Sequence, residues 1–171
     1  MNRTLNFALV FMLGIYMSPH VIAKSTEKSE SGHHHSKSKK HKRTLAVGTT
    51  YDTNGVLWLA KVKNKKLLVS NSHDNGVNFS TPVVVTPEAE NIYADGENRP
   101  KIAVAQDGTV LLTWSKKQSK KYSGDIRFSR STDSGKSFSL PITLNDDGLI
   151  TGHRFDSLTT NGKGRVIISW L

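Results

Sequence analysis

The sequence predicts an all-β chain built from repeated four-stranded antiparallel sheets, and three observations predict it. An eight-residue signature occurs twice, the second copy beginning 59 residues after the first. Short apolar segments separated by Asp-Gly, Asn-Gly and polar turns flank each copy with the rhythm of strands rather than helices. Gly164 and Trp170 echo Gly108 and Trp114, each pair 56 residues apart, so the same period runs on toward the last residues.

Residues 1–23 read as a secretory signal. Arg3 supplies a positive start, Leu5 to Met17 is apolar apart from Asn6 and Gly14, and Val21-Ile22-Ala23 offers a small-residue cleavage site after Ser18-Pro19. The apolar run is shorter than the roughly 20 residues that a membrane span requires, which favours a cleaved signal over a retained anchor. The expectation is an exported chain, periplasmic or secreted, with no stable membrane span after cleavage.

Residues 24–43 hold no aliphatic or aromatic side chain except imidazoles. Such a segment cannot bury enough apolar surface to offset its ordering entropy, so a disordered linker is expected. His33, His34, His35 and His41 are candidate metal ligands through neutral imidazole, and a solvated basic spacer is the alternative reading. The chain carries a formal charge of +10. Eight basic and two acidic residues lie up to Arg43, against sixteen and twelve from Thr44 on, so most of the excess belongs to the leader and linker. The absence of cysteine excludes a disulfide scaffold, a thiolate metal site and a thiol nucleophile.

The two octets are Ser72-His73-Asp74-Asn75-Gly76-Val77-Asn78-Phe79 and Ser131-Thr132-Asp133-Ser134-Gly135-Lys136-Ser137-Phe138. Both read S-x-D-x-G-x-x-F and continue with Ser, one residue and Pro. Their chemistry is that of a turn: Asp accepts from amides of its own loop, Gly supplies a left-handed position, and Phe is expected to fold under the turn as an apolar anchor. Nothing in them is nucleophilic, so Ser72, Asp74, Gly76, Phe79, Ser131, Asp133, Gly135 and Phe138 are assigned structural roles.

Four strands are expected around each octet. The first set is 45–48, 56–62, 66–70 and 83–85; the second is 101–105, 109–115, 125–129 and 142–144. A third set begins with 156–159 and 165–171. Four-stranded units at this period are the signature of β-propeller blades, here covering approximately 44–86, 99–145 and 154–171.

The octet is the Asp-box of the sialidase (BNR-repeat) superfamily, and residues 44–171 resemble part of its six-bladed propellers. Blade openings such as Arg99-Pro100-Lys101-Ile102-Ala103-Val104 and Arg154-Phe155-Asp156-Ser157-Leu158 add to the resemblance. It implies an exported protein that binds or hydrolyses anionic glycans, an exo-α-sialidase-type glycoside hydrolase if catalytic. A non-catalytic propeller that serves as a ligand- or protein-binding scaffold is the alternative. About two and a half blades are present, so the expectation is an N-terminal piece of a longer chain that supplies the remaining blades.

Strand alternation sorts the loops. The octets and the turns at Asn54-Gly55, Asp107-Gly108 and Asn161-Gly162 share one edge of the sheets; the longer connections 63–65, 86–98, 116–124 and 145–153 share the other. Binding is expected at this second edge. Arg99 and Arg154 open the innermost strands there, with Arg43 near the corresponding place in the first unit. Guanidinium forks suit planar carboxylates, and by resemblance Arg99 and Arg154 are the candidate substrate-binding residues. Otherwise they pair with Glu97, Asp95 or Asp156. Asp125 and Tyr122 are the candidate catalytic residues. The pattern departs from the enzymes: Arg99 is followed directly by Pro100, and Ser115-Lys116-Lys117 stands where the enzymes carry Glu and Arg. No cofactor is called for. Nucleic acid is not expected as a partner, because Lys116, Lys117, Lys120 and Lys121 have only Tyr122 nearby in sequence for base stacking.

Overall fold

The computed structural model describes residues 45–161 and 165–171. The signal segment 1–23, the segment 24–43 with His33, His34, His35 and His41, and Arg43 lie outside the described residues. Among the described residues there is no helix, and every paired strand is antiparallel to its neighbours.

The first sheet is a meander of β1 (Gly48–Tyr51), β2 (Leu57–Lys63), β3 (Lys66–Ser72) and β4 (Val83–Val84) in that order. The second repeats it with β5 (Lys101–Val104), β6 (Val110–Lys117), β7 (Gly124–Ser131) and β8 (Ile142–Thr143). A third, two-stranded sheet pairs β9 (Ser157–Thr160) with β10 (Val166–Ser169). The registers coincide: Leu57 stands opposite Ser72 and Val110 opposite Ser131, so each octet leaves its sheet at the same rung.

The first strands of the sheets are the ones that meet. β1 lies against β5, and β5 against β9. Gly48 marks one such meeting, because a Cβ there would sit 2.1 Å from the Pro100 carbonyl oxygen. Among the described residues no ring of sheets is closed.

Packing follows the pleat. Alternate residues of β2 and β3 (Trp58, Ala60, Leu67, Val69) bury against Ile102, Val110, Leu112 and Trp114 of the second sheet, with Val85 and Ile92 completing the layer. Each of the buried Val, Leu and Ile side chains contributes about 1.5–3 kcal/mol relative to exposure. The octets behave as turns. Ser72 Oγ donates to Asp74 Oδ1 at 2.6 Å, Gly76 N donates back to Ser72 Oγ, and Asn78 N donates to Asp74 Oδ1. Ser131, Asp133, Gly135 and Ser137 repeat this set bond for bond. Gly76 and Gly135 take φ of +90° and +79°.

Two expectations are corrected. The first strand begins at Gly48 rather than Leu45, because Thr49, Thr50 and Tyr51 pair with β2 while Ala46 N donates to Ala94 O in the connection between sheets. Phe138 packs against the core layer as expected, but Phe79 is 42% exposed. The difference lies in what each octet faces. Gly135 abuts Trp58 of the preceding sheet, whereas Gly76 meets only Leu57 and Phe79 of its own unit.

Candidate functional site

The antiparallel order puts the β2–β3 turn, the β6–β7 loop and both connections between sheets at the edge opposite the octets, and the candidate residues gather there. Innermost is a cavity of about 240 Å³ lined by Gly48, Thr49, Arg99, Pro100, Lys101, Ile102, Ser157 and Leu158. It draws on all three first strands and their openings. Arg99 is exposed at its rim, and its Nη1 donates to the Gly96 carbonyl at 2.9 Å. Lys101 Nζ donates to the carbonyls of Glu97 and Arg99 at 2.7 and 2.8 Å. Burial pulls its ammonium pKa below the usual lysine range, partly offset by the Asp156 charge. The lining is therefore cationic and contains no carboxylate.

Neither arginine forms the ion pairs that were the alternative. Asp95 instead accepts from Asn98 Nδ2 at 2.6 Å, and buried Asp156 accepts from Thr113 Oγ1 at 2.5 Å. Among the described residues Arg127 pairs with Glu90 at 3.4 Å, and His153 Nε2 lies 2.9 Å from Asp147 Oδ2, a hydrogen bond that is an ion pair only with the imidazole protonated.

Arg154 is not part of the cavity lining. Its backbone is pinned by reciprocal bonds to Leu171 at 3.1 and 3.0 Å, and its guanidinium lies among three rings: Phe155 at 4.8 Å, Tyr93 at 5.4 Å and Tyr122 at 5.5 Å. Its buried Nε has no hydrogen-bond partner among the described residues. Lys117 Nζ stands 4.7 Å from the Tyr93 ring centre and Lys121 Nζ 4.7 Å from that of Tyr122. Tyr93 Oη donates to the Ser123 carbonyl, which ties the connection before β5 to the β6–β7 loop.

The two candidate catalytic residues differ in freedom. Asp125 is the second residue of β7, opposite Lys116, and its Oδ1 accepts from Gln118 Nε2 at 2.5 Å and Asn145 Nδ2 at 3.2 Å. That pair of amides makes it a brace between loop and sheet. Tyr122 holds a left-handed backbone, φ 64°, with 60% of its surface exposed.

Sequence reading did not single out Tyr93 or Glu90. Tyr93 reaches the β6–β7 loop from about thirty residues upstream, and no local pattern marks it. Glu90 is buried, accepts from Trp114 Nε1 at 2.8 Å and pairs with Arg127 at 3.4 Å. No local signal separates Glu90 from its neighbours, since Glu88, Asp95 and Glu97 lie in the same connection.

No protein-family model matches the chain, and no curated protein matches it. Among solved structures the chain is similar to a Hadza microbial sialidase at 17% identity and a TM-score of 0.45, over 58% of this chain and 25% of that one. It is similar also to an endo-arabinase from Bacteroides thetaiotaomicron at 17% identity and a TM-score of 0.45, over 74% of this chain and 50% of that one. The chain thus spans a quarter and a half of the lengths of these two structures.

Proposed function

We propose that the sheets are blades of a sialidase-like β-propeller, exported from the cytoplasm, that binds an anionic glycan in the cavity at its innermost strands. The observation that carries the reading is that cavity: Arg99 and Lys101 face it, both without a carboxylate partner, beside the Ser157 hydroxyl and the apolar Ile102 and Leu158. Exposed Arg99 is in no ion pair, so a sugar carboxylate can pair with its planar guanidinium, while Lys101, whose Nζ is held by two carbonyls and felt by the Asp156 charge, adds positive charge behind it.

Binding without hydrolysis is the reading the geometry favours. Glycoside cleavage needs a positioned acid and a nucleophile or base, yet no carboxylate lines the cavity and Asp125 is held by two amides. The test is an array of acidic and neutral glycans probed with the full chain and with Arg99→Ala, alongside turnover of a 4-methylumbelliferyl sialoside. Loss of a charged hydrogen bond predicts about ten- to a hundredfold weaker binding to the acidic sugars in the variant. Equal retention of neutral glycans, or unchanged binding by Arg99→Ala, would overturn the proposal. Turnover that survives in wild type would replace binding by catalysis.

A further inference from the structure

Lys117, Tyr93, Arg154, Tyr122 and Lys121 form an alternating row of cations and rings assembled from three separate segments: the end of β6 with the loop after it, the connection before β5, and the connection before β9. Each lysine shares a ring with Arg154, which brings it within about one Debye length, about 10 Å, of that guanidinium. Like charges held this close repel. Rings ease the repulsion without neutralising it, and no described carboxylate forms an ion pair with any of the three. Arg154 also keeps a buried Nε with no partner. Lys117 and Lys121 are exposed and Arg154 is half-buried, so all three can be reached by a polyanion lying along the surface.

The structure assigns this row, which is distinct from the Arg99 cavity and does not depend on it, as a binding site for a linear polysaccharide carrying repeated carboxylate groups. The repeat of charge along the row suits a polymer rather than a single sugar. The exposed faces of Tyr122 and Phe155, 60% and 36% exposed, suit the C–H faces of pyranose rings. The planar Arg154 fork suits a carboxylate.

The test is fluorescence anisotropy of labelled oligogalacturonate with the full chain. The expected result is saturable binding that weakens about tenfold in Lys117→Gln/Lys121→Gln, both lysines being exposed and free of other bonds, and that falls in high salt. Tyr122→Leu, which leaves charge unchanged, is expected to weaken binding several-fold. Lys136→Gln, an exposed charge at the octet edge, is the control and leaves binding intact. No binding, equal loss in Lys136→Gln, or an unaffected Tyr122→Leu would each overturn the assignment. Dextran sulfate or single-stranded DNA bound as tightly as oligogalacturonate would do the same, by showing a surface selective only for charge.

Discussion

Gly135→Ala probes the packing of one sheet on the next. Two costs act at this position. An alanine at φ +79° enters the left-handed region, at about 1–2 kcal/mol. Its methyl would also stand 2.6 Å from Trp58 Cζ3 and 2.9 Å from Cη2, across the seam between sheets. The indole cannot swing away freely, because its Nε1 donates to Asp52 Oδ2 at 3.1 Å and the ring is buried. Forced overpacking of this kind costs a further 1–3 kcal/mol, so the expected loss is about 3 kcal/mol. Gly76→Ala is the internal control. It shares the backbone strain, with φ +90°, but its nearest obstacle is the flexible Leu57 Cδ2 at 3.3 Å, and the expected loss is about 1–2 kcal/mol. At about 4 °C per kcal/mol the two variants should differ by roughly 4–8 °C in Tm, followed by indole fluorescence or calorimetry. Adding Trp58→Leu to Gly135→Ala should recover about 1 kcal/mol relative to additivity. Equal losses at the two glycines, or strict additivity with Trp58→Leu, would refute the claim that the second octet is wedged against the first sheet.

Two further perturbations follow from buried and capped carboxylates. Glu90→Ala leaves the buried Trp114 N–H without its acceptor and takes from Arg127 its carboxylate, though Thr143 and Pro141 still accept from that guanidinium, and should cost about 2–3 kcal/mol in a urea titration, whereas Glu90→Gln keeps an acceptor and should cost about 1 kcal/mol; equal effects would show that the carboxylate is not the shared partner. In the octets, the amide and side chain of Asn78 and the Ser72 hydroxyl pull Asp74 down to about 2, and Ser137 with Ser131 holds Asp133 lower still. Because these folded-state values lie below the unfolded one, their stabilisation is complete above about pH 4 and is lost as pH falls through the folded values. The stability gap between wild type and Asp74→Asn/Asp133→Asn should therefore narrow from pH 5 to pH 2, and a gap independent of pH would contradict the bonding described.

What the sequence could show was set by distance along the chain. The octets close their bonds within eight residues, so their role as turns was legible from S-x-D-x-G-x-x-F alone, as were the strands on either side, whose pleat is a local alternation. The exposure of Phe79 is not legible because its environment depends on what packs on the sheet, and Phe138, the same residue type in the second octet, is partly buried by contacts the string does not contain. The position of the first strand was missed by three residues because Ala46 is claimed by Ala94, nearly fifty residues on. Arg99 and Arg154 are legible as residues just ahead of the first strands of the second and third sheets. Their separation into a cavity and an aromatic row is not, since Tyr93 joins Lys117 and Arg154 only through the stacking of sheets.

The two edges of the sheets also differ in how much bonding capacity they leave over. At the octet edge each carboxylate is consumed internally: Asp74 by Ser72 and Asn78, Asp133 by Ser131 and Ser137, Asp52 by Asn54, Val56 and Trp58. A group already saturated gains little from a ligand, because binding would exchange one set of good hydrogen bonds for another. At the opposite edge Asp125 is engaged by two amides, Asp147 by Leu149 and His153 and Asp95 by Asn98, while exposed Glu88, Glu97 and Asp146 pair with no cation, and Arg99, Lys117, Lys121 and Arg154 form no ion pair. Unpaired cations occur at both edges, Lys136 among them at the octets, but at the second edge Lys117, Lys121 and Arg154 are gathered about the shared rings of Tyr93 and Tyr122. On the proposal above, this local clustering, more than the net charge of the whole chain, is what would draw an anion to the second edge, because scattered exposed cations are screened singly by salt whereas a cluster offers several contacts at once.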